Sequence, residues 1–441
     1  MRCVGPMAHR PDTPSITHTV NNGAKLPSNA SIRRRKESSL RIVFASLPIY
    51  SHLVPVVAPV AAAAQRAGHE VVIATSATMA DQIAALGLPH LPLPNVPSWT
   101  QLGADRELAQ RFGVEFLIDF GPFPRDPHRS VRNMIQLYTG RVAREFAEDL
   151  TVAADSWGGD VVVRESTALG AYLAAERLRL PHAVLDIAPF APVGSTPVID
   201  ALNRHTLDWG LPRITHPAQM SGVLRAAILP EAWYPPSLRD AQTRYYRHDL
   251  TLESEDSELD PRLAGLSDDR PLILASLGSN AQQLLPDDRP VLDMLIKALA
   301  GINCTGIVPL GKRRSPDTWA GHRADNVQLT SFVQQRKLLP ACDVFISHGG
   351  FSGIRETLTA GVPVVVIPLF AEQPANADRI EQLGAGLQLD IGQTSAESLT
   401  AACERILRDR SFAYRAKGFH RRALGLPGLD RFVQDLEVLV G

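Results

Sequence analysis

The sequence predicts an α/β protein with two Rossmann-like units, each a parallel sheet wrapped by helices. Three observations predict it. A strand, helix and strand follow one another at the start of the folded part, and a strand, glycine turn, helix and strand recur near the end. The third is length, since 441 residues exceed one ordinary core and 45% apolar content suffices to fill two.

The elements are read in chain order. Residues 1–39 are rich in Pro, Ser, Thr and Asn and end in Arg33-Arg34-Arg35-Lys36, so they read as a disordered extension without the apolar run of a secretory signal. Arg41 to Ala45 is an apolar strand, Val54 to Ala67 a helix stopped by Gly68, and Glu70 to Ala74 the next strand. The intervening turn, Ser46 to His52, has no Gly-x-Gly-x-x-Gly, which argues against a dinucleotide site there. From about Pro89 to Tyr138 the chain is irregular, with Trp99, Phe112, Phe116, Phe120 and Phe123 able to line an apolar cleft or pack on the sheet. Gly159 to Thr167 reads as a buried strand ending in polar residues. A linker is expected over 236–260, with an acidic run at Glu253 to Glu258 that lacks the spacing of a hard-cation site. Pro271 to Ser276 opens the second unit as a strand running into Leu277-Gly278-Ser279-Asn280.

The most informative stretch is Val344 to Gly386. Val344 to Ser347 is a buried strand that ends at His348-Gly349-Gly350. A helix follows from Phe351 to Ala360, stopped by Gly361-Val362-Pro363 before the strand Val364 to Ile367. A helix N-terminus at the C-terminal edge of a parallel sheet attracts anions through its free N–H groups and its dipole, so a phosphate is expected beside His348. The final helix, Leu429 to Val440, alternates apolar and acidic residues at helical spacing.

His348, Glu356 and Glu372-Gln373 in this order resemble the donor-binding signature of GT-B glycosyltransferases of the family 1 type, which includes bacterial enzymes acting on macrolides, enediynes and other natural products. The resemblance covers about residues 40–441 and is strongest in the last hundred. It implies a GT-B fold, two facing domains with a cleft between them: 40–235 for the acceptor, 261–425 for the nucleotide sugar, and 426–441 returning to the first domain. It implies that His348, with Gly349, Gly350 and Ser352, meets the donor diphosphate, that Glu356 binds ribose hydroxyls, and that Glu372 and Gln373 hold the transferred sugar. Phe332 and Gln335 stand where the family often has Trp-x-Pro-Gln, whose aromatic stacks on the nucleobase. Gly278 and Ser279 would meet the diphosphate from the other side. One departure is Gly353, which keeps a backbone N–H but lacks the hydroxyl usual at that position.

Ser51-His52-Leu53-Val54-Pro55 similarly resembles the family's Gly-His-x-x-Pro, whose histidine is the general base. Imidazole suits that role because it titrates near working pH. Glu165 is the expected partner of His52, with Asp119 as its rival.

The reaction implied is inverting, metal-independent transfer from a UDP- or dTDP-sugar to a hydroxyl of a small hydrophobic acceptor. No cofactor is expected beyond that co-substrate, and there is no Asp-x-Asp triplet to hold a metal on the diphosphate. A non-catalytic homologue that activates a partner enzyme and a nucleotide-sugar epimerase are the alternatives. A net charge of −1 argues against nucleic acid as a partner. Four scattered cysteines and the absence of a long apolar run point to a cytoplasmic protein without a transmembrane segment; nothing in the sequence decides between a monomer and a homodimer.

Overall fold

The computed structural model describes residues 39–117, 127–249, 258–278, 287–312 and 314–441. Asp119, Ser279 and most of the acidic run at 253–258 lie outside them. Strands β1 (Arg41–Ala45), β2 (Glu70–Ser76), β3 (His90–Leu93), β4 (Val161–Glu165), β5 (His182–Asp186), β6 (Leu224–Ala227) and β7 (Thr243–Tyr245) form one sheet in the order β3-β2-β1-β4-β5-β6-β7. A second sheet is built from β8 (Leu272–Ser276), β9 (Thr305–Pro309), β10 (Val327–Thr330), β11 (Val344–Ser347), β12 (Val364–Val366) and β13 (Gly386–Gln388), ordered β10-β9-β8-β11-β12-β13. Every pairing among these strands is parallel. The fold is therefore the pair of Rossmann-like domains of the GT-B class.

The strand orders fix where ligands can bind. In each sheet the winding reverses between the first strand and the fourth, β1 and β4 in one, β8 and β11 in the other. The loops leaving those strands diverge there and open a crevice at their C-terminal ends. β1 and β4 end in step, Ala45 opposite Arg164, and so do β8 and β11, Ser276 opposite Ser347. His52 and Glu165 belong to the first crevice, Gly278 and His348 to the second.

Central strands such as Val161–Glu165 and Val344–Ser347 are buried at every position, as expected of parallel strands covered on both faces. One apolar cluster joins the two sheets, running from Phe44 and Ile73 through Trp233 to Phe345 and Phe351. The Trp233 and Phe351 rings lie 6.3 Å apart across the join, and Arg379 Nε donates to the Trp233 carbonyl at 2.9 Å.

Three elements differ from expectation. The segment expected as a linker supplies β7, the edge strand of the first sheet. The first helix is α-helical only at Ala58–Arg66, preceded by a turn at Tyr50–His52 and a π-helical stretch at Leu53–Val57. Pro55 explains it, since it has no N–H to give the Ser51 carbonyl and the regular ladder breaks there. The last helix, Asp430–Val440, lies on the first domain's side: Phe432 meets Tyr246 edge-on at 6.0 Å, and Tyr246 donates to Asp435 at 2.7 Å. His69 Nε2 lies 2.8 Å from Glu437 Oε1 at the same junction.

Candidate active site

In the first crevice, His52 Nδ1 is 3.4 Å from Glu165 Oε1. Glu165 is fully buried, whereas the His52 side chain keeps 16% exposure, so the carboxylate is shut away and the imidazole reaches the cleft. Thr167 holds the carboxylate still, its N–H donating to Oε2 at 2.6 Å and its hydroxyl lying 2.8 Å from both oxygens. Burial alone would push the Glu165 carboxyl up, but His52 and the Thr167 donors outweigh it and hold the group below its ordinary value. Arg164, the preceding residue, is buried as well. Its guanidinium donates to the backbone carbonyls of Glu165, Ser166 and Met220, and burial lowers its pKa to about 10.

In the second crevice, the His348 ring is clamped between two glycines. Gly278 has φ +70°, and a Cβ there would stand 2.5 Å from His348 Cε1; a Cβ on Gly350 would stand 2.5 Å from Nε2. Only glycine fits either place. Burial lowers the His348 pKa to about 4, partly offset by the Ser276 backbone, so the ring is neutral at neutral pH. Gly349, at φ +84°, turns the chain into the helix Phe351–Ala360, and Asn376 Nδ2 donates to its carbonyl at 2.9 Å.

Gln335 Nε2 donates to Glu356 Oε2 at 2.7 Å, joining two of the expected donor residues. Phe332 is 52% exposed, with Lys312 Nζ 4.6 Å above its ring. That leaves a broad aromatic surface open on the domain. Gly353 is buried inside the helix, where a Cβ would stand 3.3 Å from Ser347 Oγ, a tight contact.

The two crevices meet. Ser352 Oγ reaches the Ser51 carbonyl at 3.5 Å. Glu372 is near enough to His52 for their charges to interact, and its carboxylate also faces the Phe351 N–H at the helix start. Burial dominates and raises its pKa. Ala371, just before it, has φ +56°, a strained backbone for a residue with a Cβ, and packs on the first domain's second apolar cluster. Gln373 is turned away from this acid. It is buried and its Oε1 accepts from the N–H groups of Leu369 and Phe370, so the amide oxygen is spent on bracing the loop.

Thr167, the Ser51 carbonyl and Ala371 complete the site without having been expected from the sequence. The Glu-x-Thr spacing was the available signal for Thr167, because a side chain two residues on can turn back to cap a strand-end carboxylate. Among the described residues, no three His, Cys, Asp or Glu side chains gather into a metal-holding group. No described helix is long and apolar enough to cross a membrane.

The profile of the family described as "UDP-glucoronosyl and UDP-glucosyl transferase" matches residues 264–420. NDP-glycosyltransferase YjiC of Bacillus subtilis (strain 168) is 33% identical over 173 residues, 39% of this chain and 43% of that enzyme. Aklavinone 7-beta-L-rhodosaminyltransferase of Streptomyces galilaeus is 25% identical over 438 residues, covering 91% of this chain and 96% of that one. Among solved structures, the calicheamicin glycosyltransferase CalG4 superposes with a TM-score of 0.69 at 20% identity, covering 91% of this chain and 98% of that one. The Streptomyces sp. SF2575 glycosyltransferase SsfS6, complexed with thymidine diphosphate, gives 0.66 at 21% identity over 90% and 99%.

Proposed function

Because the chain is a GT-B glycosyltransferase of the family 1 type, we propose that it moves a sugar from a UDP- or dTDP-sugar to a hydroxyl of a small hydrophobic natural product, as a cytoplasmic enzyme, with inversion and without a metal. The observation that carries this is the meeting of the two crevices, with the His52–Glu165 pair on one side and His348 and the helix N-terminus on the other. His52 takes the acceptor's proton as its oxygen attacks the anomeric carbon. Glu165 orients the ring and stabilises the imidazolium that forms. His348 donates as a neutral N–H, with the first N–H groups of the Phe351–Ala360 helix, to the departing diphosphate. Phe332 stacks on the base and Glu356 binds the ribose. One displacement inverts the anomeric centre.

Residues 40–235 hold the acceptor in this reading, residues 261–425 the donor. A neighbour solved with thymidine diphosphate favours a dTDP-sugar, and relatives whose printed names specify rhodosaminyl and 2-deoxy-L-fucose transfer favour sugars of that kind. The test is calorimetric titration of the full chain with UDP, dTDP, GDP and NAD, in magnesium and in EDTA. Metal-independent binding of UDP or dTDP is expected. Silence from both would overturn the donor assignment and favour a non-catalytic homologue.

A further inference from the structure

We infer that Arg379, on the donor-side domain, is a positioning residue for the transferred sugar: it pins the helix that begins at Gln373 to a turn of the acceptor-side domain, and so fixes where Glu372, at the start of that helix, stands against the first crevice. The inference rests on the donor reading of Glu372 above and deepens it.

The turn is Glu231–Trp233, which runs into Tyr234. The carbonyls of Glu231, Ala232, Trp233 and Tyr234 all accept from guanidinium groups, and two arginines divide them. Arg239, in the segment leading into β7, takes the outer pair: it donates to the Tyr234 carbonyl from Nε at 2.9 Å and from Nη2 at 2.6 Å, reaches the Glu231 carbonyl at 3.2 Å, and pairs with the Glu231 carboxylate at 2.5 Å. Arg379 takes the inner pair from the other domain, Nε donating to the Trp233 carbonyl at 2.9 Å and Nη2 to the Ala232 carbonyl at 2.5 Å. Its remaining nitrogen, Nη1, donates to Gln382 in its own helix at 2.9 Å. The turn is a firm anchor. Trp233 is fully buried, with its ring edge-on to Phe190 at 5.6 Å on the acceptor side and 6.3 Å from Phe351 across the join.

The pinned helix is Gln373–Leu383, and Glu372 is the residue that caps its start. At that end Ala371 packs on the acceptor-side apolar cluster, while Gln373 braces the preceding loop. Gln373 and Arg379 lie about 9 Å apart along the axis at 1.5 Å per residue. A rigid helix held to the other domain at two such points cannot swing; with the Arg379 link cut, it can pivot about Ala371. A displacement of about 1 Å at a substrate-positioning group is enough to cost up to about a hundredfold in rate. The groups assigned to the base, ribose and diphosphate, which are Phe332, Glu356, Gly278 and His348, all stand on other elements. The effect of Arg379 therefore falls on the sugar and spares the nucleotide.

The experiment is calorimetry with UDP and UDP-glucose, or the dTDP pair if thymidine is preferred, on wild type, Arg379→Met, Arg379→Lys, Glu372→Gln and the double variant Arg379→Met/Glu372→Gln. For Arg379→Met the expected result is UDP affinity within about twofold of wild type and UDP-glucose affinity about five- to tenfold weaker, with Arg379→Lys in between because it keeps one donor to the turn. Since Arg379 acts through Glu372, the double variant should bind UDP-glucose no more weakly than Glu372→Gln alone. Arg239→Gln, which loosens the same turn without cutting the link between domains, should lower the melting temperature and leave UDP-glucose affinity within about twofold. Losses that add in the double variant would overturn the inference, and so would a loss in Arg379→Met or Arg239→Gln that is equal for UDP and UDP-glucose, which marks a merely structural role. Wild-type affinity in Arg379→Met beside a loss in Glu372→Gln would sink the inference and leave the donor reading standing. If Glu372→Gln binds UDP-glucose as wild type does, the donor reading of Glu372 fails first and this inference falls with it.

Discussion

Replacing Glu165 with Gln keeps the side chain's size and removes its charge from a position where solvent cannot compensate. Two unit charges at the observed 3.4 Å interact by roughly 5 kcal/mol at an effective dielectric of about 20. The imidazolium is only partly formed in the transition state, and the amide keeps a dipole, so about 1.5–4 kcal/mol is a fair share, or about ten- to a thousandfold in kcat/KM. The amide also brings a donor that can face Nδ1 and move the ring proton to the nitrogen that must act as base, which pushes the loss upward. The assay is initial-rate transfer to a phenolic acceptor that the wild type uses, alongside calorimetric affinity for UDP or dTDP as the control. Retained kcat/KM in a folded Glu165→Gln protein would refute the reasoning. So would a fall explained entirely by weaker nucleotide binding.

The same residue carries a pH signature. Its carboxyl sits below the ordinary 4.5, so its contribution to stability is present above about that pH and is lost as pH falls through the lowered value. Urea melts of Glu165→Gln should show a flatter acid limb than wild type, and parallel limbs would contradict the assignment. Gly278→Ala forces a Cβ into a left-handed backbone and against His348, at a cost of about 1–3 kcal/mol in stability; diphosphate affinity should fall further, and unchanged affinity would mean that the His348 ring does not need its present place. Phe432→Ala removes a fully buried ring that joins the final helix to Tyr246. It should cost about 3–5 kcal/mol in a denaturant melt, and a cost below about 1 kcal/mol would show that this helix does not anchor the first domain.

The fold was legible because its signals are local. Val344–Ser347 and Phe351–Ala360 have the bounds that their apolar run, glycine turn and stop signal predict. β7 was missed because Thr243–Tyr245 is three residues long with none of them fully buried, a pattern that resembles a linker. The π-helical turn was missed because Pro55 was read as part of a motif and not as a missing donor. The site divides the same way. His52 and Glu165 could be nominated because each ends a recognisable strand or turn, and the structure brings them within 3.4 Å. For Gln373 the structure adds what the sequence does not carry, an amide oxygen that accepts from the loop's own Leu369 and Phe370 N–H groups.

The central claim is that binding and chemistry are divided between the two crevices, donor on one and proton transfer on the other. Turnover and nucleotide affinity of His52→Ala, measured on one preparation, test it most directly. The account predicts transfer reduced by at least about a hundredfold with UDP or dTDP affinity within about twofold of wild type. Wild-type turnover, or an affinity loss as large as the rate loss, would contradict it.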